Sequence, residues 1–301
     1  MRIFRGYALV LALSLTGCTS VVPDTGPDAV GTASSKAPLD FSHAPTAGHT
    51  LDNSPEFAPP NTWGPRPHPL RGGAPVAVGR NANRDAAPKL ADGRVDCAQA
   101  RCVALTFDDG PGPYTDTLLD MLKASGVPAT FFVVGYKVAG GAVTVQRASA
   151  EGHAIGTHSW SHPVLTKLAE PAMRKEMASP IDALKDIGVP TSMIRPPYGA
   201  RNGAVDAIAD ALGLAEVLWS VDTRDWATLN TPSVISEAVR SAHPGSIILM
   251  HDIHPTSVAA VPDIIAQLQA AGYVLVTVPE LLGDHFGTGA TIYSQHQVRA
   301  H

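Results

Sequence analysis

The sequence is poor in charge, in aromatic residues and in cysteine. Of its 301 residues, 16% are charged, 6% are aromatic and only three are cysteine. Lysine and arginine number 22 against 27 aspartate and glutamate, which gives a net charge of −5. Proteins that bind nucleic acid through its phosphates carry basic patches, and no basic block occurs here. The composition therefore argues against a nucleic-acid-binding protein.

Long hydrophobic runs are also missing, apart from one short stretch near the start. Residues 7–15 are apolar and follow two arginines, but a membrane-spanning helix needs about 20 apolar residues. The pattern is typical of a secretory signal and excludes a polytopic membrane protein. It ends in Leu-Thr-Gly-Cys at residues 15–18, which resembles a bacterial lipobox. We expect residues 1–17 to be a lipoprotein signal peptide and Cys18 to carry lipid, with ordinary secretion as the alternative.

The segment that follows Cys18 is rich in residues that break regular structure. Residues 19–95 contain twelve prolines and eight glycines and show no apolar periodicity. Such a composition cannot bury enough apolar surface to offset the entropy lost on ordering. We predict a disordered linker over residues 18–95, which tethers a folded domain to the extracytoplasmic side of a cell membrane.

The two remaining cysteines, Cys97 and Cys102, lie at the start of the part that we expect to fold. An oxidising compartment outside the cytoplasm favours a disulfide between them. Two free thiols or half of a metal site are the alternatives, although no further cysteine is present to complete a zinc set.

From residue 96 onward, strand patterns alternate with helix patterns. Apolar runs predict strands at residues 102–107, 129–135, 154–157, 193–195, 215–221, 246–250 and 273–278. Amphipathic patterns predict helices over residues 115–124, 138–151, 170–187, 202–212, 232–242 and 257–271. This alternation indicates βαβ units around a parallel sheet, and the number of units suits a closed or nearly closed β/α barrel. We place the domain at residues 96–283 and a tail at residues 284–301.

Polar clusters follow several predicted strands, at the edge where barrel folds build their active sites. Asp108 and Asp109 end the first strand, and two adjacent carboxylates need a positive partner such as a metal ion or an arginine. A turn with two solvated aspartates is the alternative. His158 and His162 have a spacing found in zinc sites, although Pro163 also fits a tight loop. Two histidines and one aspartate would leave coordination positions open for water and substrate.

Three further clusters carry polar or aromatic groups. In Arg195-Pro196-Pro197-Tyr198-Gly199 the prolines lack N–H groups, which leaves the Tyr198 N–H as a donor for a developing oxyanion. Trp226 follows the strand at residues 215–221 and suits stacking on a sugar, or core packing. His251 ends an apolar strand and can act as an acid near neutral pH, with Asp252 as a solvated neighbour.

In this order, the clusters resemble the motifs of the NodB-like polysaccharide deacetylases (carbohydrate esterase family 4), across about residues 96–283. The resemblance implies a distorted (β/α)7 barrel that removes acetyl groups from polysaccharides. It also implies one divalent metal ion, usually zinc. Together with the lipobox, it suggests a lipoprotein of the actinobacterial type.

The resemblance implies a role for the residue that matches each motif position. Asp109, His158 and His162 match the metal ligands. Asp108 matches the general base that takes a proton from the attacking water, and Arg195 matches the residue that orients this base.

The remaining matches concern the leaving group and the acetyl group. His251 matches the general acid that protonates the leaving amine, and Asp225 matches the carboxylate that keeps this histidine charged. The Tyr198 N–H matches the oxyanion donor. Trp226 and Leu249 match hydrophobic walls around the acetyl methyl group, so the substrate would contact these two residues and Tyr198.

These features predict a lipid-anchored hydrolase that removes N-acetyl, or O-acetyl, groups from cell-wall polysaccharide. Peptidoglycan N-acetylglucosamine is the expected substrate, with N-acetylmuramic acid, chitooligosaccharide and acetylxylan as alternatives. A non-catalytic wall-binding protein is the alternative of another class. It predicts the loss of Asp108, His251 or a metal ligand, and all of them are present. A metal-dependent amidase of small molecules is a third hypothesis.

Overall fold

The computed structural model describes residues 81–283 and 286–300, so the predicted signal peptide, Cys18 and most of the predicted linker lie outside the described residues. The strands are β1 (Cys102–Asp108), β2 (Thr130–Val133), β3 (Ala154–Thr157), β4 (Met193–Ile194), β5 (Ala215–Val217), β6 (Val221–Asp222), β7 (Ile247–His251), β8 (Val274–Val276), β9 (Ala290–Ser294) and β10 (Gln297–Ala300). The helices are α1 (Ala82–Ala86), α2 (Thr115–Ser125), α3 (Gly135–Val138), α4 (Ala142–Ala150), α5 (Glu170–Asp186), α6 (Gly203–Ala211), α7 (Asp225–Thr228), α8 (Thr231–Ser241), α9 (Pro255–Ala270) and α10 (Val278–Leu282). None of these helices has the length and apolar character that crossing a membrane requires.

The central sheet is parallel and curls into a barrel. Its strands follow the order β5-β4-β3-β2-β1-β7-β6, and β8 pairs with the start of β1. β5 and β6 stand at opposite ends of this order, yet only residues 218–220 separate them in the chain. Because so short a connection cannot cross an open sheet of this width, the two edges must approach each other. The predicted distorted β/α barrel is confirmed.

A C-terminal hairpin lies beside the edge of β5. β9 pairs in parallel with β5, where Ile292 is the partner of Val217, and β10 returns antiparallel to β9. Ser294 at the end of β9 also bridges to Ser246, which precedes β7. The hairpin therefore connects β5 and β7, and residues 290–300 of the predicted tail are part of the sheet.

The fold also begins earlier than residue 96. The Asn83 amide donates to the carbonyls of Gln269 and Tyr273 at 2.7 and 2.9 Å, and Arg84 forms a 2.7 Å ion pair with Glu280. Val95 is only 1% exposed. Residues 81–95, which we assigned to the linker, are thus held on the domain by polar contacts that hydrophobic periodicity does not reveal.

Alternate side chains of β1 point in opposite directions, and this places the polar groups. Leu105 and Phe107 pack in the core beneath the helices, whereas Thr106 and Asp108 lie on the other face. The whole strand is buried, as expected when a parallel sheet is covered on both sides. The disulfide between Cys97 and Cys102, as predicted, joins the start of β1 to the preceding turn.

Candidate metal centre and catalytic site

The predicted site residues meet at the carboxyl ends of the strands. Asp108 at the end of β1 is the direct register partner of His251 at the end of β7. His158 follows β3, and Arg195 follows β4 on the neighbouring strand. Parallel strands end at a common edge, so motifs that are far apart in the chain come together there.

Asp109, His158 and His162, which the family resemblance implies as metal ligands, are brought together in the structure. One potential ligand atom from each lies within 4.8 Å of the other two. Nε2 of His162 is 3.3 Å and Nε2 of His158 is 3.6 Å from Oδ1 of Asp109. This oxygen is buried and accepts no hydrogen bond from the described residues. A buried carboxylate oxygen that lacks a donor and faces two imidazoles fits a divalent cation.

The protonation state of His158 suits metal binding. Its Nδ1 is 2.6 Å from the carbonyl oxygen of Arg195, so Nδ1 carries the proton and Nε2 presents its lone pair to Asp109. Burial lowers the pKa of His158 to about 3, which keeps the imidazole neutral. Neutral imidazole is the form that coordinates a metal ion.

The loop that carries both histidines has an unusual backbone. Ser159 and His162 adopt left-handed conformations, with φ of 61° and 63°. The Ser159 hydroxyl accepts the N–H of His162 at 3.0 Å, which closes the loop. Positive φ is costly for residues with a side chain and persists where the surroundings enforce it, commonly at functional sites. The two histidines therefore lie on a tight loop, as the presence of Pro163 allowed, and not on a helical turn.

Asp108 is held by a buried arginine. Nη1 of Arg195 lies 2.7 Å from Oδ1 of Asp108, and both side chains are almost inaccessible to solvent. The same guanidinium donates to the Thr106 hydroxyl and to the carbonyls of Val217 and Leu218. Burial raises the pKa of Asp108 above its usual value, and the charge of Arg195 opposes this rise. The arginine therefore both orients the carboxylate and favours its ionised form.

His251, on the strand next to Asp108, forms a second charged pair with Asp225. Nδ1 of His251 is 2.8 Å from Oδ1 of Asp225, and the backbone N–H of His251 donates to Oδ2 at 2.8 Å. Burial alone would lower the pKa of His251, but the contact with Asp225 and the charges of Asp108 and Asp109 raise it to about 9. His251 is thus an imidazolium at neutral pH, with Nε2 available to donate a proton.

The residues predicted to contact substrate differ in exposure. Tyr198 is 65% exposed and has a φ of 61°, and its ring lies 4.7 Å from that of His162. Trp226 on α7 is 53% exposed, so core packing does not explain it. Leu249 is buried on the same face of β7 as His251. Two exposed aromatic side chains and one buried leucine therefore accompany the two charged pairs.

Sequence reasoning placed one residue next to this site wrongly and missed another. Asp252 is fully buried rather than solvated, and it accepts a 2.5 Å hydrogen bond from the Thr115 hydroxyl. A Cβ atom at Gly110 would lie 2.3 Å from Oδ2 of Asp252, so glycine at this position allows the carboxylate to approach the turn after β1 closely. Burial raises the pKa of Asp252 to about 7. The missed residue is Ser257, whose hydroxyl donates to Asp225 at 2.5 Å. No local pattern marks either contact.

Comparisons with known proteins agree with this arrangement. The family model for polysaccharide deacetylase matches residues 96–217. The peptidoglycan-N-acetylglucosamine deacetylase PgdA of Listeria monocytogenes is 40% identical over 199 residues, which cover 65% of this chain and 42% of that protein. This chain therefore spans less than half the length of that relative. The chitooligosaccharide deacetylase of Bradyrhizobium sp. is 35% identical over 204 residues, which cover 62% of this chain and 93% of that protein.

A solved structure described as T48 deacetylase with substrate is 46% identical and superposes with a TM-score of 0.61. The match covers 64% of this chain and 96% of that one. The matches cover nearly the full length of the Bradyrhizobium deacetylase and of the T48 deacetylase, at 35% and 46% identity. This similarity is sufficient to assign the family. The chain belongs to the polysaccharide deacetylase family.

Proposed function

We propose that this protein is a metal-dependent hydrolase that removes N-acetyl groups from cell-wall polysaccharide, with N-acetylglucosamine of peptidoglycan as its substrate. One observation carries the proposal: Asp108, ion-paired with Arg195, lies 3.7 Å from His158 of the metal-ligand cluster and is the register partner of His251 of the charged His251–Asp225 pair. A candidate base therefore lies beside a candidate metal site, and a candidate acid ends the neighbouring strand. The names of the Listeria and Bradyrhizobium relatives support an amide of an amino sugar as the substrate.

Amide hydrolysis needs an activated water, an acceptor for negative charge and a proton for the departing nitrogen. Asp109, His158 and His162 would hold a divalent cation, and zinc suits this set of one carboxylate and two imidazoles. When bound, such a cation lowers the pKa of a coordinated water and polarises a carbonyl.

The chain's own residues supply the remaining chemistry. Asp108, oriented by Arg195, takes the proton of the attacking water, and the Tyr198 N–H donates to the developing oxyanion. His251 then gives its Nε2 proton to the leaving nitrogen, while Asp225 keeps the imidazole charged until that step. Trp226 and Leu249 would contact the acetyl methyl group and exclude water from it.

We also propose that the protein acts outside the cytoplasm, anchored through lipid on Cys18. The sequence at residues 15–18 and the Pro/Gly-rich composition that follows support this location. The disulfide between Cys97 and Cys102 is consistent with an oxidising compartment. A tethered domain next to the cell wall favours peptidoglycan over a soluble oligosaccharide.

The direct test measures acetate release by the purified chain from peptidoglycan and from N-acetylglucosamine oligomers. We expect release to stop with a chelator and to return with zinc. A chain that releases acetate only from oligomers is a chitooligosaccharide deacetylase, which the Bradyrhizobium relative would favour. If neither polymer releases acetate with any divalent metal, the proposal is overturned. Acetylxylan, small amides and wall binding alone would then be examined.

The pH dependence of kcat/KM should be bell-shaped, because Asp108 must be ionised and His251 protonated. Activity falls on the acid side as Asp108 takes up a proton, and on the alkaline side as the pH rises through the His251 pKa of about 9. Asp225→Asn removes the charge that raises the His251 pKa, so its alkaline limb should lie at lower pH. The measurement is initial rate from about pH 5 to 10, and a flat profile would contradict both roles.

A further inference from the structure

Asp225 is a fully buried carboxylate that accepts four hydrogen bonds. Two come from His251, through Nδ1 and the backbone N–H, and a third comes from the N–H of Trp226 at 3.0 Å. The fourth comes from the Ser257 hydroxyl, 2.5 Å from Oδ2. Among the described residues, Ser257 and His251 are therefore the two whose side chains donate to this carboxylate.

Ser257 lies on a different helix from Asp225 and outside the strand that carries His251. It lies in the first turn of α9, whereas Asp225 begins α7 and His251 ends β7. Its side chain is completely buried, so water cannot take over its hydrogen bond. A buried hydroxyl aimed at an anion makes a charge-assisted bond, which is roughly twice as strong as a neutral one.

We propose that Ser257 is a positioning residue of the catalytic pair. Its hydroxyl donates a hydrogen bond that stabilises the negative charge of Asp225, and it thereby controls how readily His251 gives up its proton. This inference rests on the proposed function, in which His251 is the general acid. Ser257 itself touches neither substrate nor metal in this scheme and acts through Asp225 alone.

Two backbone N–H groups hold Asp225 in place, and this determines whether the loss of the Ser257 hydroxyl raises or lowers the pKa of His251. The N–H groups of Trp226 and His251 bind separate oxygens of Asp225, so the carboxylate keeps its orientation without Ser257. When His251 loses its proton, the negative charge of Asp225 is no longer neutralised by the imidazolium and depends more on its other donors. Removal of the Ser257 hydroxyl therefore destabilises this state more than it destabilises the intact ion pair. The neutral form of His251 therefore becomes less favourable, and the imidazolium should hold its proton more tightly.

The other titratable side chains around His251 are left in place by this experiment. Asp108 and Asp109 face it from the end of β1, and their charges already support its protonation. Asp252 follows it in the chain, and the ring of His254 at the start of α9 lies 6.0 Å away. The Ser257 hydroxyl donates to Asp225, so a change at Ser257 acts on His251 through this carboxylate.

The test compares Ser257→Ala, Ser257→Thr and the matched control Ser125→Ala in the zinc-loaded chain. Ser125 is also a buried helical serine, but its hydroxyl donates to the Met121 carbonyl of α2. The titration of the His251 ring is followed by NMR without substrate, and kcat and KM for acetate release are measured in parallel. The NMR arm does not depend on which polymer is hydrolysed, so it remains informative if the proposed function fails.

We expect Ser257→Ala to raise the His251 pKa and to lower kcat by about tenfold with little change in KM, a smaller loss than removal of a general acid itself causes. Ser257→Thr, which keeps the hydroxyl, should restore both, and Ser125→Ala should change neither. An unchanged or lowered His251 pKa in Ser257→Ala would overturn the proposal. A lowered melting temperature with a wild-type His251 titration would also overturn it, because packing alone would then explain Ser257.

Discussion

Replacing Asp108 by asparagine lowers kcat for acetate release by about 100- to 10,000-fold, the range expected when a general base is lost. Asparagine has the same shape and can still accept a hydrogen bond from Arg195, but its amide cannot take a proton from water. The metal cluster keeps all three of its ligand side chains, so zinc affinity should change much less than the rate. Acetate release and zinc affinity, measured on one preparation, separate the two effects.

The same substitution leaves the buried Arg195 without its counter-charge, so stability must be measured as well. Breaking a buried ion pair costs about 3–5 kcal/mol of unfolding free energy, and a partly unfolded sample would imitate a catalytic loss. Asp206→Asn is the control for the exchange of an ion-paired aspartate outside the site, because Asp206 pairs with Arg201 at 2.6 Å. Arg201 keeps its 2.9 Å pair with Glu216, so this variant should keep both its stability and its turnover. Wild-type turnover by folded Asp108→Asn protein would rule out Asp108 as the base.

Removing one imidazole from the metal cluster should abolish tight metal binding. His158→Ala leaves only Asp109 and His162, and two ligands cannot complete the set that a catalytic zinc site requires. We expect the Kd for zinc to rise by more than about 100-fold, since the loss of an outer partner of a ligand already costs 10- to 100-fold. A competition titration against a chromophoric chelator gives this Kd directly, and acetate release should fall with it.

His243→Ala is the control for this experiment, because His243 is an exposed histidine away from the cluster. It should bind zinc and release acetate as the wild type does. If His158→Ala binds zinc with unchanged affinity, the metal is held elsewhere and the assignment of Asp109, His158 and His162 fails.

Sequence patterns located the strands well where an apolar run ends in a clear turn. The strand predicted at residues 154–157 has these limits in the structure, because flanking polar residues and glycine define both ends. The strand predicted at residues 215–221 is divided into β5 and β6. The apolar run there contains no glycine or proline, so nothing local signals that the chain turns where the barrel edges meet. That turn is imposed by tertiary structure.

The site shows the same division between local and long-range information. Asp109, His158 and His162 lie in short motifs beside strand ends, and the order of these motifs carried the resemblance that implied the three residues as ligands. Ser257 was not, because a serine in the first turn of a helix is common and its partner Asp225 lies 32 residues away. Asp252 was assigned to solvent because an aspartate after a strand is normally exposed, and only the packing of Thr115 against it shows otherwise.

The position of Arg195 bears on how related sequences should be interpreted. Its guanidinium binds the carbonyls of Val217 and Leu218 where β5 ends, as well as the carboxylate of Asp108. A descendant that no longer needed hydrolysis could lose His251 while still requiring this arginine to hold the barrel together. Retention of an arginine here is therefore a marker of folding, whereas retention of the His251–Asp225 pair is a marker of chemistry. A screen for inactive members of the family should begin with that pair.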